Sequence, residues 1–420
     1  MAFAFSLLFA AFLVAMISLK YWLALRQMRH VAAHAAAVPA QFAERVSPDA
    51  HRKAADYTIA KQRLGLVHTA LDAAILLGLT LLGGLQAMAG ALSDVIGRGF
   101  LFQLAIVALV VAITSLADLP LAWYRQFRLE QRFGFNRMTL RLFVVDLAKS
   151  LALGIVLGLP ILAIVLWLMQ RAGPWWWMYA WLVWIGFNAL VLVLYPTLIA
   201  PIFNKFEPLK DSALAERIGA LLARAGFSSR GVFVMDGSKR SSHGNAYFTG
   251  FGRAKRIVFF DTLVDRLKPT EIEAVLAHEL GHFKRRHIAK RLIFSALASL
   301  ALLALLGWLA DQAWFYQGLG VEPALDNSNT GIALILFFLV LPVFTFVFAP
   351  IASRLSRRHE FEADAFAAEF ASAQDLASAL VKLYEDNAST LTPDPVHSAF
   401  YDSHPPAAVR VERLLAGAPV

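Results

Sequence analysis

Polar and apolar positions along this chain alternate on two scales. On the coarse scale, seven apolar runs are each long enough as helix to cross about 30 Å of hydrocarbon. They are Ala2 to Leu19, Thr69 to Leu92, Phe100 to Tyr124, Phe143 to Met169, Trp175 to Ala200, Leu292 to Leu309 and Ile332 to Ala349. The first has no basic residue ahead of it and has Lys20, Arg26 and Arg29 behind it, the reverse of a secretory signal, so it reads as an uncleaved span. On the fine scale, the two long polar stretches carry shorter periodic elements. Asp211 to Ala225 predicts an amphipathic helix ended by Gly226, Gly231 to Asp236 and Arg256 to Asp261 predict strands, and a helix opens at Thr270 and runs on toward span six. After Pro350 come a charged helix through Arg357 to Phe370, a second from Gln374 to Asn387, a Pro-rich loop and a terminal helix.

The chain thus divides into residues 1–200 with spans one to five, 201–291 as a first folded polar part, 292–350 with spans six and seven, and 351–420 as a second polar part. Composition agrees: 58% hydrophobic against 16% charged residues excludes a soluble protein of 420 residues and excludes disorder. Zero cysteines exclude disulfides, thiol nucleophiles and cysteine-held metals, so any metal must be held by His, Asp or Glu. A net charge of +9 suggests nucleic acid until the basic residues are placed. Of 39 Lys and Arg, 36 fall in loops on one side of the spans and 2 on the other. The charge is therefore topology, with no nucleic-acid partner: the N-terminus lies outside, and the C-terminus and both polar parts lie in the cytoplasm. The Ala- and Leu-rich composition reads as that of a bacterial inner-membrane protein.

Chemistry concentrates in the helix that opens at Thr270, which carries His278-Glu279-Leu280-Gly281-His282. Residues four apart share a helix face, so His278 and His282 can offer ring nitrogens to one zinc ion, while Glu279 sits beside the metal as a base for water. His30 and His34 share the spacing but have no base between them and no partner later. A catalytic zinc needs a third protein ligand. Position 285 is Arg and 288 is Ile, which removes the metzincin pattern. The thermolysin-like alternative takes a Glu from a separate helix, and Glu360 is expected, with Asp364 one turn on to hold the far nitrogen of a ligating histidine. Glu362, which faces elsewhere on that helix, and His359 compete for the place, and a purely structural reading pairs Glu360 with Arg357 or Arg358.

Taken together, the whole chain resembles the seven-span CAAX prenyl endopeptidases, integral-membrane zinc metallopeptidases that remove the last three residues of prenylated C-terminal Cys-a-a-X substrates. The resemblance is carried by the seven spans, His278 to His282, Arg357 to Asp364, Ser242-His243-Gly244-Asn245-Ala246-Tyr247, Arg256 to Asp261 and Ser403-His404-Pro405-Pro406. It departs at Gly244, where family members often carry Ser. It implies a mainly α, polytopic membrane fold of seven helices around a chamber, with a cytosolic gluzincin-like peptidase part containing a small β-sheet. It implies one zinc per chain, Glu360 as third ligand and Asp364 behind it, Asn245 and His404 lining the cleft, and Arg410 against substrate. The partners implied are a peptide or protein substrate, prenylated in the family, and membrane lipid.

Read from the residues alone, His404 in a Ser-His-Pro-Pro turn is either an oxyanion donor or a solvated turn residue, and Asn245 in a loop from Gly244 to Gly250 serves either the cleft or turn geometry. The run containing Val258 and Phe259, like Tyr247, fits a sheet edge that holds an extended peptide, or an ordinary buried strand. Asp72, Asp118, Asp146 and Lys149 lie within spans and imply a polar interior, with Asp146 and Lys149 spaced to pair with each other. Two other readings stand beside this one. A protease of membrane-protein quality control shares the zinc motif, and a seven-span transporter or receptor with a structural zinc would have no use for Glu279.

Overall fold

The computed structural model describes residues 1–227, 229, 231–249, 256–324 and 329–417. Apolar side chains dominate the first half, which folds as α1 (Ala2–His34), α2 (Pro48–Leu79), α3 (Gly84–Ile96), α4 (Phe100–Tyr124), α5 (Leu140–Leu153), α6 (Leu159–Arg171), α7 (Trp176–Leu194) and the short α8 (Ala200–Phe203). Single π-helical turns join α5 to α6 and α7 to α8, so each pair makes one long rod. Then follow β1 (Phe206–Pro208), α9 (Ser212–Ala225), β2 (Val232–Met235), β3 (Ala246–Thr249), β4 (Arg256–Phe260), α10 (Asp261–Arg266) and α11 (Pro269–Lys284). The chain returns to the membrane with α12 (His287–Leu309), α13 (Ala313–Gln317) and α14 (Thr330–Thr345), and ends with α15 (Ala349–Phe370), α16 (Ala373–Asp386), α17 (Pro395–Tyr401) and α18 (Ala407–Ala416).

Among the described residues, six rods are long and apolar enough to cross a membrane, and α2 with α3 makes a seventh that is bent by 54°. The second span was expected to be continuous. It breaks at Gly83, which takes a left-handed φ of 75°, and the bend brings Gly84 so close to the carbonyl oxygen of Gly78 that a Cβ would lie 2.3 Å from it. Side chains such as Leu116, Val156 and Phe294 are more than half exposed, and their bands face lipid. Inside, a cavity of about 750 Å³ is lined by Tyr57, Lys61, His68, Asp118, Glu130 and His243 among others. His68 joins Asp72 at 3.1 Å and Asp118 at 3.3 Å. The expected pairing of Asp146 with Lys149 does not form: Arg240 takes Asp146 through two bonds of 2.8 and 3.0 Å, and Lys149 donates to the carbonyl of Ile202.

Two large hydrophobic cores result among the described residues, with a smaller cluster of Tyr57, Leu129, Phe133 and Phe135 beside them. One lies among the spans, from Phe9 and Leu76 to Leu306 and Phe337. The other gathers Ile218, Leu221, Phe259, Leu276 and Leu280 from one polar stretch with Phe366, Leu376, Leu380 and Val411 from the other, so both polar parts share a single core. The sheet runs β1-β2-β4-β3, with β2 and β4 parallel and the outer pairs antiparallel. The expected helix at 211–225 is α9, capped by Asp211, whose carboxylate accepts from Leu214 N, and ended at Gly226 with φ 70°. Helix α11 starts earlier than Thr270, on Pro269. Its first turn is fixed by Glu271, which accepts from Lys268 N, from Ser378 Oγ and from Lys382 Nζ, each at 2.7 Å. Nor does α11 run straight into span six: it stops at Lys284, and Arg286, at φ 55°, turns the chain before α12.

Candidate metal centre

Helices α11 and α15 bring the site together. Gly281 lies where they touch: a Cβ there would sit 2.9 Å from Ala363 Cα and 3.1 Å from Phe366 Cβ, so the bare backbone sets how closely α15 approaches. One turn along α15 from that contact, Glu360 faces the histidines. His278 Nε2 and His282 Nε2 are 3.2 Å apart, and the Glu360 oxygens lie 3.5 Å from the first and 3.4 Å from the second. A tetrahedral ion with bonds of about 2.0–2.1 Å spaces its donors roughly 3.3 Å apart, so the three residues fit one. Glu360 Oε2 is buried and makes no hydrogen bond among the described residues. A buried carboxylate oxygen is expensive unless a cation meets it; the Arg410 guanidinium, 3.5 Å away, is too distant for a good hydrogen bond and leaves the near side of the oxygen to a metal ion.

Behind these three residues, Asp364 Oδ1 takes His278 Nδ1–H at 2.8 Å, which leaves Nε2 as the nitrogen that faces the site. Burial would lower the His278 pKa, but the bonds from Asp364 and Glu360 outweigh it and raise the group to about 9. A metal binding there must displace that proton. Arg410 was expected against substrate. Instead it is 4% exposed, with Nε and Nη2 at 2.9 and 2.6 Å from Asp364 and Nη1 at 3.5 Å from Glu360, so its guanidinium braces the two carboxylates from within. Glu279, next to His278, is neither buried nor fully exposed. His404 has a more exposed side chain, and its Nε2 lies 3.5 Å from Glu360 Oε1, which places the Ser-His-Pro-Pro turn at the mouth of the site.

The sheet requires a correction. Val258 and Phe259 were expected on an open edge, yet β4 is bonded on both sides, to β2 and β3, and the two side chains are 2% and 0% exposed. Neither can touch a substrate. The outer strand is β3, which bonds only β4 among the described residues and lies alongside α11. Tyr247 sits on it, its hydroxyl toward Met235 Sδ at 3.8 Å. Asn245, exposed at its head, accepts from Ala246 N through its own side chain and from Phe260 N through its carbonyl. Gly250, expected to close that loop, lies outside the described residues.

Sequence reasoning missed His287. Its ring stacks on His359 at 4.0 Å and stands between His282 Nδ1 at 3.0 Å and Glu362 Oε2 at 2.9 Å. Glu362 does face away from the histidine pair, as expected, but toward this third ring. The available signal was the cluster of His359 and Glu362 beside the third ligand.

Two family models divide the chain between them: CAAX prenyl protease N-terminal, five membrane helices, over residues 27–205, and Peptidase family M48 over residues 208–418. A "CAAX prenyl protease 1 homolog" of Arabidopsis thaliana is 36% identical over 417 residues, covering 96% of this chain and 95% of that protein. "CAAX prenyl protease 1" of Saccharomyces cerevisiae is 38% identical over 74% of this chain and 72% of its own length, and a Homo sapiens homologue is 33% identical over 74% and 73%. The crystal structure of S. mikatae Ste24p matches with a TM-score of 0.90 at 32% identity, covering 98% of this chain and 99% of that one.

Proposed function

This chain belongs to peptidase family M48 and is a membrane metalloprotease, and from that premise we propose that its metal is zinc and that it cuts peptides or proteins near a prenylated C-terminus of the CAAX type. The observation that carries the reading is the cluster of His278, His282 and Glu360 with Glu279 one residue from the first ligand. Zinc, when bound, would polarise the scissile carbonyl and acidify the attacking water. Glu279 removes the proton from that water and delivers it to the leaving amine. His404, at the mouth of the site, donates to the developing oxyanion, and Asn245 borders the same cleft. Asp364 fixes the His278 tautomer, and Arg410 holds Asp364 and Glu360 in place.

An extended peptide fits the outer edge of β3, where main-chain bonding makes recognition tolerant of side chains. The peptidase is built from 201–291 and 351–420, and the spans at 1–200 and 292–350 hold it at the bilayer, where a lipid-modified C-terminus would arrive from the membrane. The Lys and Arg bias supports a cytoplasmic site with the N-terminus outside. The relatives named above are eukaryotic, so an inner-membrane home rests on composition alone.

The test presents the purified protein with a farnesylated C-terminal peptide, the same peptide without lipid, and an unfolded membrane protein. Preference for the lipidated peptide is expected. Equal cleavage of all three would replace this reading with a degradative quality-control role.

A further inference from the structure

Helix α11 ends two residues after His282, and Arg286, in a backbone conformation that residues other than glycine seldom adopt, makes His287 the first residue of α12. Such a conformation persists where the surrounding structure demands it. Here it folds the imidazole of His287 back beside His282 rather than letting α11 and α12 run on as one rod. The ring is 4% exposed and is covered on one face by His359, with ring centroids 4.0 Å apart and planes 13° from parallel.

The protons in this group can be assigned by donor and acceptor chemistry. A carboxylate only accepts, so at 2.9 Å the Glu362 Oε2 takes a proton from His287 Nε2, while Arg358 Nε donates to the other oxygen at 3.1 Å. A neutral His287 with its proton on Nε2 presents a lone pair at Nδ1, which is 3.0 Å from His282 Nδ1. That lone pair selects the His282 tautomer with its proton on Nδ1, and His282 Nε2 then points a free lone pair at Glu360 and His278. The opposite tautomer would carry hydrogen on the nitrogen that must bind metal.

We propose that His287 and Glu362 are positioning residues for the metal ligand His282. His278 is backed directly by a carboxylate, Asp364, and His282 is backed by a carboxylate through an intervening histidine. The two arms do the same work at different reach: each fixes a ring orientation and a tautomer before metal arrives. The inference rests on the metal site proposed above.

The test measures Zn²⁺ affinity of the full-length, detergent-solubilised protein by competition with a chromophoric chelator, with thermal melting of the metal-stripped protein alongside. His287→Leu is expected to weaken Zn²⁺ binding about 10–100-fold. His287→Asn, whose amide oxygen falls near the lost Nδ1, should recover most of that affinity. Glu362→Gln, which keeps an acceptor but loses the charge, should weaken binding by up to about tenfold, and it carries the test if the leucine variant does not fold. Binding by His287→Leu within twofold of the parent, while His282→Ala is impaired, overturns this inference alone. Parent-like binding by His282→Ala overturns the metal site and this inference with it. Loss of affinity in both His287 variants without any recovery by Asn, at unchanged melting temperatures, also overturns it.

Discussion

Replacing Gly281 by alanine tests whether backbone contact between two helices sets the metal geometry. A Cβ at that position would lie 2.9 Å from Ala363 Cα and 3.1 Å from both Ala363 O and Phe366 Cβ, where unstrained carbon contacts lie at about 3.5–4.0 Å. None of these atoms is the end of a flexible side chain, so α15 itself must retreat by roughly 0.5 Å. Overpacking of this kind costs about 1–3 kcal/mol, and the gain in helix propensity from glycine to alanine returns about 1 kcal/mol. The net change in stability is therefore small, about 0–2 kcal/mol of destabilisation. The effect on the metal should be larger in proportion. Glu360 rides on α15, and its oxygens already stand 3.4 and 3.5 Å from the ring nitrogens, at the outer limit of tetrahedral spacing. A further half ångström stretches or breaks one bond, and Zn²⁺ affinity should fall by at least about tenfold, which is about 1.4 kcal/mol. Chelator competition reads the affinity and calorimetric melting of the metal-stripped protein reads the packing. A Gly281→Ala protein that melts higher than the parent and binds Zn²⁺ equally well would refute the argument.

Glu279→Gln should keep Zn²⁺ affinity within a few fold and lose about 10²–10⁴-fold in turnover of a C-terminal peptide; wild-type turnover would remove Glu279 as the base. Because the proton on His278 leaves only above a pKa of about 9, Zn²⁺ affinity should strengthen as pH rises from 7 toward 9, about tenfold per unit, and a flat profile would contradict the protonation assigned to that ring. Asp364→Asn should weaken Zn²⁺ binding about 10–100-fold and lessen that pH dependence, since the carboxylate that favours the imidazolium is gone. Lys382→Met leaves Glu271, 2% exposed, with two donors of its three, and should cost about 2–3 kcal/mol, somewhat less than the roughly 3–5 kcal/mol for breaking a fully buried pair. Burial opposes ionisation of Glu271, but its bonds to Lys382, Lys268 N and Ser378 depress its pKa, so the stability it adds is present at neutral pH and disappears as pH falls through the folded-state value. The difference in melting temperature between the Lys382→Met protein and its parent should therefore shrink in acid; a constant difference would count against this account.

The spans were legible because a run of apolar residues has one meaning at this length, and α11 was legible from its period and its His-Glu-Leu-Gly-His motif, although its cap is Lys268 and not Thr270. The break in the second span was not. Thr80 to Leu82 reads as continuous apolar helix, and the bend depends on a left-handed Gly83 and on a close approach of Gly84 to the Gly78 carbonyl, both three-dimensional facts. The turn at Arg286 was hidden for a similar reason: two arginines carry no turn signal, and the left-handed residue is held there by what His287 meets. Strand order was out of reach because β4 pairs with β2 and β3 across intervening loops, so the run that looked like an edge became the interior. Asp364 could be placed because it shares a helix face with Glu360. Arg410 could not, since its partner lies 46 residues away along the chain.

The common core of the two polar stretches sets a timetable for biogenesis. Leu276 and Leu280 emerge before spans six and seven are made, while Phe366, Leu376 and Val411 emerge after them. Until the last of these arrives, the first stretch has half a core to bury and the histidine pair has no carboxylate to meet. The His278, His282 and Glu360 cluster is thereby incomplete in a nascent chain. A polypeptide that stalls before α15 lacks Glu360, and one that stalls before α18 lacks the Arg410 that braces it.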